Sequence, residues 1–207
     1  PDTFSFKEIG RGGHGAEPQN SIDPIIITCQ IVSSLQTIIS RRLSPLTPAV
    51  ITCGKIQGGN GHNIIPDEVE VIGTIRTFDN ETREAIPKMM EDIIKGITTC
   101  QGATYEFNYK PNYPAVINDI EMTDIVIDSL KKIVGDENVD TFKKPMMGGE
   151  DFAYFGQNVP ACFFFVGIAE DDKNPVVHHN PYFKWSDKNL KLLSSGLSQV
   201  AIDFLNK

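Results

Sequence analysis

Val69-Glu70-Val71-Ile72-Gly73-Thr74-Ile75-Arg76-Thr77-Phe78 decides how the first half of this chain is built. Val69, Val71, Gly73 and Ile75 fall on one side of an extended strand, and Glu70, Ile72, Thr74 and Arg76 on the other. That alternation marks a strand with one face on a core. Arg76 leaves the core face, where a guanidinium can fork onto a carboxylate, although most strand arginines are solvated or paired locally. Upstream, residues 49–56 read as a neighbouring strand, and the glycine-rich stretch 57–67 between the two is too long for a minimal hairpin turn. Earlier still, Phe4 and Phe6 alternate with Ser5 and Lys7 in a strand over residues 3–9.

Helices fill the gaps. Asp23-Pro24 supplies an N-cap and a first-turn proline for a helix running to about residue 40. Ile25, Cys29, Val32, Leu35 and Ile39 form one apolar face, and Ile26, Ile27, Ile31 and Ile38 lie elsewhere around the axis. A helix apolar on more than one stripe needs a sheet on one side and a second surface, here a candidate subunit interface, on the other. Asn80 caps a second helix over residues 81–99, with Ile86, Met89, Met90, Ile93, Ile94 and Ile97 as its core stripe. Tyr105, Phe107 and Tyr109 alternate in a last strand. The order β-α-β-β-α-β predicts an α+β, ferredoxin-like two-layer domain over residues 1–115, closed by the linker Pro111-Asn112-Tyr113-Pro114.

Residues 116–207 follow a different pattern. Ile125, Val126, Leu130, Ile133 and Val134 stripe a helix that Gly135 ends. A short strand is expected over 139–143, then a helix opened by Gly148-Gly149 with Glu150 and Asp151 at its start, which the helix dipole favours. The unbroken run Cys162-Phe163-Phe164-Phe165-Val166-Gly167-Ile168 reads as a strand buried on both faces. Ser186 caps a final helix striped by Leu190, Leu193, Leu197, Val200, Ala201 and Phe204. One buried strand in about ninety residues is a poor core by itself. The opening at Pro1-Asp2, directly into a strand, predicts a piece of a longer protein.

Two loops carry candidate chemistry. His178-His179-Asn180-Pro181 follows the buried run, where ligands gather in open α/β sheets. Neutral imidazole is the commonest protein ligand for a metal, and solvated loop histidines are the competing reading. Gly12-Gly13-His14-Gly15 presents His14 with little steric cover. It lacks the Gly-Lys-Ser/Thr of a phosphate loop, and a capping turn histidine is the alternative there. The formal charge of −8 disfavours nucleic acid and anionic membrane as partners. No apolar run nears the roughly 20 residues of a bilayer span. The four cysteines are far apart, which points to reduced thiols and a cytoplasmic setting.

Several stretches together resemble the aminoacylase and carboxypeptidase G superfamily of dinuclear zinc amidohydrolases. The branch most resembled holds hippurate hydrolase, N-acyl-L-amino-acid amidohydrolase and auxin-conjugate hydrolases. The stretches are Gly12-Gly13-His14-Gly15-Ala16 with Pro18, Asp23-Pro24-Ile25, and His62-Asn63-Ile64-Ile65-Pro66-Asp67. Gly73-Thr74-Ile75-Arg76-Thr77-Phe78, Gly148-Gly149-Glu150-Asp151-Phe152 and His179-Asn180-Pro181 complete the set, in the family's order.

The resemblance implies that residues 1–115 are a lid that dimerises, and that 116–207 are the C-terminal part of a zinc-peptidase catalytic domain. An upstream segment would supply most metal ligands and the glutamate base, so the piece alone is expected to be inactive. His179 then looks like a ligand in a two-ion centre, with His178 as the alternative. Zinc is the expected metal, with manganese, cobalt or nickel also compatible. His14 resembles the histidine that reaches across a homodimer to the developing oxyanion. Asn63 lies in the loop that holds the substrate carboxylate, with Arg76 assisting. Gly149 and Glu150, with Asp151, match a loop bordering the substrate. The implied activity is hydrolysis of the amide bond of N-acyl amino acids or related conjugates. The alternative is a non-enzymatic dimerisation or regulatory module on the same lid.

Overall fold

The computed structural model describes residues 1–142, 144–169, 176 and 179–207. In chain order the elements are β1 (Asp2–Ile9), β2 (Gly13–His14), α1 (Pro24–Thr37), β3 (Ala49–Gly58), β4 (Ile64–Ile65) and β5 (Glu68–Thr77). Then come α2 (Asn80–Cys100), β6 (Thr104–Pro111), α3 (Ile120–Val134), α4 (Ala153–Gly156) and α5 (Lys188–Leu205). The fold is α+β. Two compact units are distinguished, Pro1–Ala115 with Met147–Asp151, and Val116–Met146 with Phe152–Lys207.

In the first unit, four strands line up as β3-β5-β1-β6, and each neighbouring pair is antiparallel. The alternation along β5 places Val69, Val71, Gly73 and Ile75 on the buried side. Gly73 is dictated by crowding: a side chain there would run into the Phe4 ring and the Thr52 carbonyl. Phe4, Phe6, Ile51, Val71 and Ile75 meet Ile27, Ile31, Leu35 and Ile38 from α1 and the turn after it, and Ile86, Met90 and Ile94 from α2. Both helices therefore cover one face. The fully buried stripe is Ile27, Ile31 and Leu35 of α1 with Ile38 just after it; of the face through Ile25, Cys29, Val32, Leu35 and Ile39 only Leu35 is fully buried, while Val32 and Ile39 pack partly against the core. With isoleucine nearly all around the axis, the register against the sheet selects the face, and Ile25 and Ile26 stay exposed. At α2 the cap is Asp79, whose carboxylate accepts the Thr82 amide at 2.7 Å, one residue before the expected Asn80.

Two acids interrupt the buried side of β1. Asp2 is 2% exposed and is gripped by Arg83, with Nε to Oδ2 and Nη2 to Oδ1 both at 2.7 Å. Tyr109 and the Asn112 amide donate to the same carboxylate. Glu8 is fully buried and has a single hydroxyl donor, Thr98 Oγ1 at 2.8 Å, with its other oxygen unpartnered. Burial pushes its carboxyl up to about 7, against the smaller opposing pull of Thr98. Folding thus strengthens proton binding at Glu8. Stability is greatest below the ordinary carboxylate range and is lost as pH rises through about 7, by about 3 kcal/mol. Glu8→Gln is expected to match the parent near pH 5 and exceed it at pH 8 in urea denaturation. Equal pH profiles for the two proteins would disprove the assignment.

In the second unit α3 packs against α5, where Leu130 lies against Gly196 and Lys132 pairs with Asp203 at 2.9 Å. Asp119 caps α3 by accepting the Met122 amide, and Gly135 closes it at φ 85°. The run 162–168 forms no strand: Asn118 fastens Phe163 through bonds of 2.8 and 2.9 Å, and Phe165 is 55% exposed. A strand exists by pairing, and among the described residues this unit holds no second strand to pair with. The same reason removes the strand expected over 139–143, of which residue 143 lies outside the described residues. The glycine-acid stretch 148–151 precedes only the short α4, and Leu190, Leu197 and Phe204 of α5 are exposed rather than core. At the start of α5 the cap falls on Asp187, one residue after Ser186. No described helix is long and apolar enough to cross a membrane.

Candidate functional site

The glycine loop after β1 folds back as β2 and pairs with β4, matching Gly13 to Ile65 and His14 to Ile64. The Gly15 amide donates to the Asn63 carbonyl at 2.8 Å, which continues the pairing by one residue. His14 and Asn63, 49 residues apart in sequence, thereby share one shallow depression of about 560 Å³ with Ile64, Ile65, Gly12 and Asp67. Both His14 and Asn63 are exposed, as groups that meet a ligand must be. The Ala16 amide donates to His14 Nδ1 at 3.1 Å. A ring nitrogen that accepts a hydrogen bond holds no proton, so neutral His14 carries its proton on Nε2. It therefore presents an N–H donor outward.

Arg76 is not in this depression. It sits near the far end of β5, where its guanidinium donates to Thr74 Oγ1 and to the Ile75 carbonyl. Along β5 the backbone from Asp67 to Arg76 covers about 30 Å. Gly149 lies at the Arg76 end, packed on Pro1 beside Asp2. Glu150, next in the chain, is half-buried. Within the first unit the expected substrate residues thus form two groups, His14 with Asn63 at one end and Arg76 with Gly149 at the other.

His179 is exposed and adopts φ 63°, the left-handed region that few residues other than glycine occupy. The turn it opens is held by Asn180, whose carbonyl takes the Phe183 amide and whose side-chain oxygen takes the Tyr182 amide, each at 2.9 Å. His178 lies outside the described residues. Among the described residues no three of His, Cys, Asp or Glu come together as a metal-binding group. His179 offers one donor, so these residues do not amount to a metal centre.

Two contributors escaped the sequence reading. The Ala16 amide carries no side-chain signal. Asp67 was visible only as the acid after Pro66, and its hold on Gly12 depends on a turn that only the fold brings near.

A family profile described as "Peptidase family M20/M25/M40" matches residues 9–202. The chain belongs to this family.

 

The chain is 35% identical over 201 residues to the N-acetylcysteine deacetylase of Bacillus subtilis (strain 168), a match covering 97% of this chain and 51% of that protein. Against the N-acyl-L-amino acid amidohydrolase of Geobacillus stearothermophilus it is 48% identical over 118 residues, covering 57% of this chain and 32% of the relative. The crystal structure of the Bacillus subtilis YXEP protein, described as a dinuclear metal-binding peptidase of the M20 family, superposes with a TM-score of 0.73 at 30% identity. That match covers 99% of this chain and 50% of the other. The M20-family chain spans about half the length of the curated relatives it matches over nearly its full extent.

Proposed function

We propose that this chain is the lid and the C-terminal catalytic segment of a metal-dependent amidohydrolase that cleaves N-acyl amino acids. The first unit, with its β-α-β-β-α-β order, is read as a ferredoxin-like lid that forms a homodimer. The observation that carries the reading is the β2–β4 pairing, which sets an outward N–H donor of His14 beside Asn63 in one open depression. In amide hydrolysis the carbonyl oxygen gains negative charge as the carbon becomes tetrahedral, and a fixed donor aimed at that oxygen lowers the barrier. His14 Nε2–H is that donor, and the Asn63 side chain binds the substrate's free carboxylate. Arg76 is a second carboxylate partner, with Gly149 and Glu150 lining the same region. Because Arg76 stands at the opposite end of the sheet, His14 serves the substrate bound by the other subunit.

His179 is one donor to a pair of divalent ions, zinc in our reading, whose other ligands lie outside this sequence. With four free thiols, a cytoplasmic setting suits the protein. The test uses the full-length protein. It is expected to hold metal and to release free amino acid from N-acyl substrates, and His179→Ala is expected to lose metal with the fold retained by circular dichroism. A full-length protein that binds no metal and hydrolyses no N-acyl amino acid would end the proposal.

A further inference from the structure

We propose that Asp67 is a positioning residue that fixes the reach of His14; this rests on the oxyanion role read for His14 above. Asp67 grips the glycine loop twice. Its backbone carbonyl accepts the Gly10 amide at 2.8 Å, and its carboxylate Oδ1 accepts the Gly12 amide at 2.9 Å. Between those two bonds, Arg11 exchanges amide and carbonyl with Ile22 at 2.9 Å on the opposite side. The strand that delivers His14 is thus held from both flanks before β2 begins.

Gly12 is matched to this grip. A side chain there would come within 2.9 Å of Asp67 Oδ1 and 2.8 Å of the Ile65 carbonyl. The absence of a Cβ lets the carboxylate approach the amide. A backbone amide bonded to a carboxylate is a charge-assisted bond, stronger than its neutral counterpart. Two residues further on stands His14, and the β2–β4 pairing that holds it begins at Gly13, the residue directly after Gly12. Asp67 itself makes no contact with the ring that the structure gives, so its effect on chemistry passes through the loop.

The experiment has a kinetic and a spectroscopic arm. In the full-length protein, Asp67→Ala is expected to lower kcat by about ten- to a hundredfold with KM little changed, since a misplaced group costs on that order. Asp67→Asn keeps an oxygen acceptor at the same place and is expected to restore most of kcat. In a His14→Ala background, Asp67→Ala is expected to add no further loss, because a residue acting through His14 has nothing left to position. Hydrogen exchange on the same variants is expected to show the Gly12 amide exchanging faster in Asp67→Ala and near the parent rate in Asp67→Asn.

Additive losses in the double variant, or an unchanged Gly12 exchange rate in Asp67→Ala, would overturn the proposal. If the parent hydrolyses nothing, the proposed function fails instead. The exchange arm then still decides whether Asp67 holds the loop.

Discussion

His14→Ala in the full-length protein is expected to lose about two to three orders of magnitude in kcat, the usual cost of one oxyanion donor. The ring is exposed and its bond to Ala16 is local, so the variant is expected to fold and melt like the parent. Metal content is expected to be unchanged, which separates this variant from His179→Ala. The position of Arg76 sharpens the test. His14, on β2, sits by the Asp67 end of β5 and Arg76 near its other end, so the proposed dimeric site would take each from a different subunit. Mixed dimers of His14→Ala with Arg76→Ala are expected to regain turnover that neither variant shows alone, because one of their two sites is intact. Unchanged kcat in His14→Ala would remove the oxyanion role. Failure of complementation would remove the exchange between subunits.

Arg83→Ala is expected to destabilise the chain by about 3–5 kcal/mol, the cost of leaving a buried charge without its partner. Asp2 is 2% exposed, and burial alone pushes its carboxyl up. The bonds from Arg83, Tyr109 and the Asn112 amide outweigh burial and hold the carboxyl below its ordinary value. A depressed value means that Asp2 stabilises the fold above the ordinary carboxylate range and loses that contribution as pH falls through it. Without Arg83 the balance reverses, so the variant's deficit is expected to shrink in acid as Asp2 takes up a proton. Asp2→Asn in the same background is expected to recover part of the loss, since a neutral amide is cheaper to bury. Urea midpoints near pH 7 and pH 4 measure all of this. A loss below 1 kcal/mol would place the pair among ordinary surface contacts.

Much of the first unit was legible because strands with one covered face must alternate. Phe4 and Phe6, Val69 to Ile75, and Tyr105 to Tyr109 announced their strands, and Ile86, Met90 and Ile94 announced the buried side of α2. The α1 stripe was not legible, because a helix carrying isoleucine on every side gives the pattern no direction. Asp2 and Glu8 escaped for a related reason: the alternation puts them inward, yet their partners Arg83 and Thr98 lie 81 and 90 residues away. The run 162–168 shows the opposite failure. Its composition suits a strand, but a ladder belongs to two segments, and composition reports on only one. At the site, His14 was marked by its glycines. The grip of Asp67 on Gly12 spans 55 residues and follows from a turn that no local pattern encodes.

The span of the sheet also bears on dosage. With His14 held near one end of the sheet and Arg76 at the other, the site proposed above is shared between two copies of the chain. On that proposal output depends on how often copies meet, so dilution is expected to weaken each molecule's yield before it alters any rate constant.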